Sequence, residues 1–284
     1  MDMQGLSLSP VGGVLVGGVF LKGHLARDAA RTPRAPGGPP IPASGKGMSS
    51  LRQSIPAPIK RYLKRTVVEP IRARTRDRRL RSCIRRLRAG DFTLGSLAET
   101  RRAWGNEGFS ADLRYVDEST RLAQRCDGPI LECGTGLTTL ICGVVAEQRA
   151  IELWSFDQDK AWLDAVGHVL SANQLKPKLH FGPLRQVSDH AWYDIAGVHF
   201  PRRFGLVICD GPFVTPAWRT PIFENWRFGV VPALESAGSG FEVLLLDDAD
   251  EPRASAVLRR WQAEFGLKHD LIRSPMGVYA LVTT

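Results

Sequence analysis

The chain of 284 residues lacks the signatures of several protein classes. Its five cysteines are odd in number and form no CxxC pair, which argues against a disulfide framework or a cysteine-based zinc site. The six histidines form no HxH or HExxH spacing. No apolar run approaches the roughly 20 residues that a membrane-spanning helix needs. Since 43% of the residues are hydrophobic, the chain is expected to form a globular core.

Three of the cysteines lie in apolar segments, namely Cys133, Cys142 and Cys209. This placement predicts buried thiols. Buried, unpaired thiols are typical of a reducing compartment, so the sequence predicts a cytoplasmic protein.

Residues 130–140 (ILECGTGLTTL) are the most informative stretch. They predict a buried strand with Glu132 at its tip, followed by a tight turn at Gly134 and Gly136 and then a helix. Glycine has no Cβ, so such a turn lets a nucleotide-like ligand approach the backbone. The third small residue of a dinucleotide turn is replaced by Thr139, which argues against NAD. An ordinary strand–turn–helix junction is the alternative.

A second buried strand is predicted at 152–156, and it ends at Asp157. This carboxylate follows the glycine turn by about 20 residues, where nucleotide-binding α/β domains place the acid that binds ribose hydroxyls. The alternative is that Asp157 caps the helix that begins near Lys160. Asp159 serves that cap equally well, which leaves Asp157 free for ribose.

A further strand at 204–209 ends in Asp210-Gly211-Pro212. These three residue types are also typical of turns, which is the alternative reading. A turn alone does not account for the order of Glu–GxG, Asp and Asp-Gly-Pro at three successive strand ends, where open α/β sheets bind their ligands.

This order resembles the class I S-adenosylmethionine (SAM) methyltransferases, and the resemblance covers residues 128–284. It implies a Rossmann-like α/β fold with a seven-stranded, mostly parallel sheet, helices on both faces and one reversed strand near the edge. It also implies an enzyme with SAM as cofactor. The stretch GPLRQVSDHAWYD at 182–194 looks like the small-molecule and sugar O-methyltransferases, where this loop covers the adenine. The candidate cofactor-binding residues are Glu132, Gly134, Gly136, Thr138, Asp157, Gln158, Leu184, Trp192 and Asp210. Core packing is the alternative for Trp192.

The remaining pattern agrees with such a fold. Apolar runs predict strands at 241–246, 271–272 and 278–282, and helices are predicted at 138–148, 160–173, 221–235 and 253–265. Strands that alternate with helices indicate a mostly parallel sheet. The last two strands are joined by the short turn Ser274–Gly277, so they are expected to be antiparallel.

Two catalytic hypotheses concern acidic residues and a histidine. The resemblance to metal-dependent O-methyltransferases implies that Asp210, Asp247 and Asp248 bind Mg²⁺ as a further cofactor, a hard cation that prefers carboxylate oxygen. The alternative is that Asp248 or Asp250 caps the following helix. Asp210 and His190 are the candidate catalytic residues; alternatively, His190 is an exposed loop histidine.

The N-terminal part divides at Met48. Residues 1–47 are rich in Gly, Pro, Ala and Ser, and we expect a disordered tail or a misplaced start. Residues 48–127 are expected to form a basic helical extension that caps the SAM site, and 128–284 the methyltransferase domain. Residues 52–88 carry fourteen Lys/Arg and two acidic residues, a net of +12 where the whole chain carries +9. Their apolar stripe predicts amphipathic helices, interrupted near Pro70. Such a segment suits an anionic membrane surface or a nucleic acid, or packs its stripe on the domain and leaves a solvated basic face.

The leading interpretation is therefore a SAM-dependent methyltransferase that acts on a small molecule, with a hydroxyl oxygen as the favoured acceptor atom. An RNA methyltransferase that uses the basic segment is one alternative, although the sequence has no Asn-Pro-Pro-Tyr-like motif. A non-catalytic SAM-fold protein tethered to an anionic surface is the other.

Overall fold

The computed structural model describes residues 69–106, 110–213, 227–275 and 277–284, and side chains from residue 74 onward. The expectations for 1–47, for the basic residues 52–68 and for the start of the helix predicted at 221–235 lie outside these residues. None of the described helices is long and apolar enough to cross a membrane.

The described residues form seven helices and nine strands. The helices are α1 (Glu69–Arg88), α2 (Leu94–Trp104), α3 (Leu113–Ala123), α4 (Leu137–Arg149), α5 (Lys160–Ala172), α6 (Val230–Ser236) and α7 (Pro252–Phe265). The strands are β1 (Ile130–Cys133), β2 (Leu153–Asp157), β3 (Lys178–Phe181), β4 (Leu184–Val187), β5 (His190–Tyr193), β6 (Arg203–Cys209), β7 (Gly240–Leu246), β8 (Lys268–Ser274) and β9 (Gly277–Thr283).

Seven of these strands form one sheet in the order β3-β2-β1-β6-β7-β9-β8. β9 pairs antiparallel with both β7 and β8, whereas the pairs among β3, β2, β1, β6 and β7 are parallel. The expected Rossmann-like fold, with one reversed strand near the edge, is confirmed. The carboxyl ends of β2, β1, β6 and β7 therefore lie side by side at one edge of the sheet.

Helices cover both faces of the sheet because each central strand is apolar on both sides. One core contains Ile130, Leu206 and Ile208 with residues of α1 to α5. The other contains the alternate positions Leu131 and Val207, with α6, α7 and β5. The described N-terminal helices thus share one hydrophobic core with the sheet.

All five cysteines are free and buried, which confirms buried thiols at Cys133, Cys142 and Cys209.

Three features differ from the sequence prediction. The seventh strand is β3, whose residues are exposed or only partly buried, so it shows no apolar run. The expected loop at 182–194 contains the antiparallel hairpin β4–β5. Within the described part of the helix predicted at 221–235, residues 227–229 form a turn and α6 begins at Val230. A Cβ at Gly229 would lie 2.7 Å from the Trp192 ring, so this turn packs tightly against the hairpin.

Candidate functional site

The turn after β1 brings its two glycines to the carboxyl edge of the sheet. Gly134 has φ of 97°, a left-handed conformation that favours glycine. A Cβ on Gly134 would lie 2.8 Å from the Gly211 nitrogen, so the turns after β1 and β6 touch through their backbones. A Cβ on Gly136 would have no heavy atom within 4 Å. The start of α4 is therefore open to a ligand, as a cofactor cradle requires.

Glu132 lies beneath this turn and is fully buried. Its carboxylate accepts hydrogen bonds from the hydroxyls of Thr138, Thr139 and Ser155. The Thr139 hydroxyl in turn accepts from the Gly136 N–H at 2.7 Å. Burial raises the pKa of Glu132 to about 7, against the effect of the three hydroxyls. In this structure Glu132 and Thr138 hold the first turn of α4, and a contact of either with a cofactor stays a prediction.

Asp157 ends β2 beside the glycine turn and is 4% exposed. Its Oδ2 accepts from the Thr135 N–H at 2.9 Å and from the Thr135 hydroxyl at 2.7 Å, and its Oδ1 accepts from the Asp159 N–H at 2.9 Å. Asp159 caps α5, since it accepts from the Trp162 N–H at 3.0 Å. Asp159 rather than Asp157 therefore caps this helix, as expected, but Asp157 is not without partners, because the glycine turn itself reaches back to it through Thr135. A contact of Asp157 with ribose stays a prediction.

Gln158 lies next to Asp157 at the same edge. Its Nε2 donates to the Phe213 carbonyl at 3.1 Å, which links the loop after β2 to the loop after β6. Its Oε1 is buried and has no hydrogen-bond partner among the described residues. An unused acceptor beside an open glycine turn is a position where a ligand donor can bind.

Three carboxylates meet where β6 and β7 end. Asp210, Asp247 and Asp248 each place an oxygen within 4.8 Å of the others. The capping alternative for Asp248 and Asp250 is wrong: the N-cap of α7 is Glu251, and no side chain caps this helix. Asp248 bonds to a buried arginine instead.

That arginine, Arg227, was not among the sequence candidates. It is 4% exposed and donates to the Asp210 carbonyl at 2.7 Å and to Asp248 Oδ2 at 3.0 Å. It also donates to the Asp247 carbonyl and lies 3.5 Å from Asp210 Oδ1. One permanent positive charge therefore lies among three carboxylates.

The carboxylates influence each other's protonation. Burial raises the pKa of Asp247 well above its usual value, and the charges of Asp210 and Asp248 add to this. Burial also raises the pKa of Asp210, although Arg227 opposes it. A divalent cation would relieve the mutual repulsion of these groups, since three carboxylates less one arginine leave two negative charges. The donor set therefore fits Mg²⁺.

The other sequence candidates lie in the β4–β5 hairpin. Trp192 is 4% exposed and belongs to the core, as the packing alternative proposed, while Leu184 packs at the margin of this core. His190 is 5% exposed within β5, so the expected exposed loop histidine is wrong. Its ring stacks edge-to-face on Phe228 at 5.0 Å, and its Nδ1 lies 3.2 Å from Asp189 Oδ1. Among the described residues, none of these contacts reaches the strand-end carboxylates.

The chain matches no protein-family model and no curated protein. Solved structures do resemble it. The O-methyltransferase TomG from Streptomyces achromogenes, in complex with SAM, is 14% identical over 67% of this chain and 88% of its own, with a TM-score of 0.42. The SAH-bound methyltransferase PaMTH1 from Podospora anserina is 12% identical over 68% and 87%, with a TM-score of 0.42. The N-terminal domain of human METTL16 with SAH is 15% identical over 65% and 77%, with a TM-score of 0.41.

All three of these proteins are named as methyltransferases or contain SAM or SAH. Similarity this distant transfers no substrate to the chain. The geometry of the site has to carry the functional argument.

Proposed function

We propose that this protein is a SAM-dependent methyltransferase that transfers a methyl group to a hydroxyl oxygen of a small molecule. The observation that carries the proposal is the convergence of three features at adjacent strand ends: the open turn at Gly136, the buried carboxylate of Asp157 and the acidic cluster at Asp210. SAM, when bound, supplies an electrophilic methyl group on sulfur.

The cofactor side of the site is formed by the loops after β1 and β2. A carboxylate has about four acceptor positions, and Asp157 uses three of them, so one remains for a ribose hydroxyl. The Thr135 hydroxyl can also rotate away and release a second position. Gly136 leaves space for the ligand, and Gln158 Oε1 offers an acceptor for an amino group.

The acceptor side is formed by the acidic cluster. A hydroxyl bound beside Asp210 would lose its proton to this carboxylate as its oxygen forms the bond to the methyl carbon, while the methyl–sulfur bond breaks and leaves its electron pair on a neutral thioether. Arg227 holds Asp210 and Asp248 in place through its hydrogen bonds. Mg²⁺ held by Asp210, Asp247 and Asp248 would lower the pKa of the acceptor hydroxyl. Because alignment supplies much of the rate of such a transfer, few catalytic side chains are needed.

A nucleic-acid acceptor is the alternative, and one observation favours it. Helix α1 exposes a row of arginines that suits phosphate groups.

Titration calorimetry with SAM tests the proposal. Asp157→Ala is expected to weaken SAM binding roughly tenfold or more, since a hydrogen bond to a charged group contributes about 1.5–3 kcal/mol. Asp164→Ala is the matched control, because Asp164 is exposed on α5 and pairs only with Lys160 among the described residues. Thermal melts of both variants report whether the fold is kept. If folded Asp157→Ala binds SAM as tightly as the unaltered protein, or if the unaltered protein binds no SAM, the proposal fails.

A further inference from the structure

Helix α1 carries four arginines in one line along its solvent side. Arg74, Arg78, Arg81 and Arg85 follow one another at steps of four, three and four residues, so they lie on one face of the helix. All four side chains are exposed. We call these four residues the arginine stripe.

The opposite face of α1 is buried in the core of the domain. Leu80, Cys83, Ile84 and Leu87 are between 0% and 6% exposed and pack with residues of α2 to α4. A helix that binds a membrane surface does so by inserting its apolar face. In the described part of α1 that apolar face is buried in the protein core. The surface that remains accessible to a partner is therefore positively charged.

The charge of the stripe is not neutralised within the described part of the chain. The last two arginines of α1 are neutralised, since Arg86 pairs with Asp91 and Glu99, and Arg88 with Glu147. No ion pair involves a residue of the arginine stripe in the ranges that the structure describes. Like charges at these spacings repel by about 0.2–0.5 kcal/mol for each pair. A bound polyanion would remove this repulsion.

The dimensions of the stripe match a nucleic-acid strand. From Arg74 to Arg85 the helix makes eleven steps, which span about 16 Å at a rise of 1.5 Å each. One strand of a duplex carries a phosphate for every 3.4 Å of axis, so the stripe faces about five phosphates. All four cations are arginine, whose planar guanidinium binds phosphate oxygens in a bidentate manner.

The N-terminal half of α1 is also linked through contacts to the candidate active site. At the C-terminal end of α1, Arg88 bonds to the Asn173 carbonyl after α5, away from the carboxyl edge of the sheet. Near the N-terminal end, the Arg76 side chain packs against Gly105 at the end of α2. The adjacent Trp104 meets the Trp162 ring edge-to-face, and Trp162 Nε1 donates to the Thr135 carbonyl at 2.8 Å. One end of α1 is thus connected to the glycine turn.

We propose that the arginine stripe binds the phosphate backbone of a nucleic acid. The inference goes beyond the proposed methyl transfer, because it concerns a partner and stands whether or not SAM binds.

Fluorescence anisotropy of the full chain with a labelled 20-nucleotide RNA, and with DNA of the same sequence, tests this inference over a range of salt concentrations. Four substitutions to glutamine remove the stripe: Arg74→Gln, Arg78→Gln, Arg81→Gln and Arg85→Gln. Glutamine is a good helix former, so the variant should fold. The control removes the same net charge at exposed arginines elsewhere: Arg114→Gln, Arg125→Gln, Arg202→Gln and Arg259→Gln.

The stripe variant is expected to bind at least tenfold more weakly at moderate salt. Its log Kd should depend less steeply on log salt, by about 3, because each lost contact with a single strand changes the slope by about 0.7. The control variant should keep the slope of the unaltered protein. Equal losses in the two folded variants would show that net charge alone is responsible and would overturn the inference. Binding to phosphatidylserine vesicles without binding to RNA or DNA would overturn it as well.

Discussion

Replacement of Glu132 by glutamine should change how the stability of the protein depends on pH. Glu132 is fully buried under the first turn of α4, and burial raises its pKa from 4.5 to about 7. The folded protein therefore retains a proton at Glu132 over a pH range in which the unfolded chain has lost it. The contribution of Glu132 to the free energy of unfolding is therefore greatest below about pH 4.5 and declines as the pH rises through 7.

The size of the effect follows from the two pKa values. One pH unit corresponds to about 1.4 kcal/mol, so the gap between 4.5 and about 7 amounts to roughly 3 kcal/mol. Between pH 5 and 8, roughly 2–3 kcal/mol of this should be lost. Glu132→Gln has no proton to lose. The three hydroxyls that donate to Glu132 can rotate and accept from the amide instead.

Urea unfolding without ligand at pH 5, 6, 7 and 8 measures this effect. The free energy of unfolding of the unaltered protein, minus that of Glu132→Gln, should fall by roughly 2–3 kcal/mol over this range. Other titrating carboxyls are common to both proteins and cancel in the difference. Glu147→Gln is the control, since Glu147 is on the same helix with a half-exposed side chain. A difference that stays constant from pH 5 to 8 would show that the three hydroxyls keep Glu132 ionised, and the reasoning would be refuted.

Three further predictions concern the site and the N-terminal part. Gly211→Ala should lower thermal stability and SAM affinity, because the added Cβ would lie 2.6 Å from Tyr193 Oη and 2.7 Å from Gly134 Cα. Gly240→Ala is the control, since a Cβ at Gly240 would have no heavy atom within 4 Å. Equal melting temperatures of the two variants would contradict the prediction. EDTA should abolish methyl transfer while SAM binding, followed by calorimetry, persists; turnover that survives EDTA would exclude the metal. A chain that begins at Met48 should melt at the same temperature as the full chain and bind SAM equally well. A clear loss of thermal stability would contradict the prediction that residues 1–47 are dispensable.

The central strands were predictable because burial on both faces leaves a continuous apolar run. β6 and β7 are examples: six of the seven residues of β6 are buried, and the prediction placed each strand within one residue at its start. β3 was not predicted, because it is an edge strand whose exposed and partly buried positions give no apolar run. The β4–β5 hairpin escaped because three of the four residues of β4 are exposed.

The strand-end positions of the site were also predictable, since parallel strands place their carboxyl ends at one edge. Asp157, Asp210 and Asp247 all lie there. Their hydrogen bonds were not predictable. Thr135 reaches Asp157 across 22 positions of sequence, and no periodicity marks such a contact. The same holds for Glu132, whose partner Ser155 is its neighbour in the register of β1 and β2.

The positive charge that balances the acidic cluster could be identified only from the structure, and Arg227 shows why. In the sequence it is one of 38 basic residues, and nothing in its neighbourhood distinguishes it. In the fold it is 4% exposed and bonds to groups from the ends of two strands. An arginine at such a position keeps its charge, and its ion pairs with Asp210 and Asp248 offset part of the negative charge of the cluster. The chain itself thus supplies a compensating charge beside the three carboxylates, and turnover with and without EDTA decides whether methyl transfer also needs a metal.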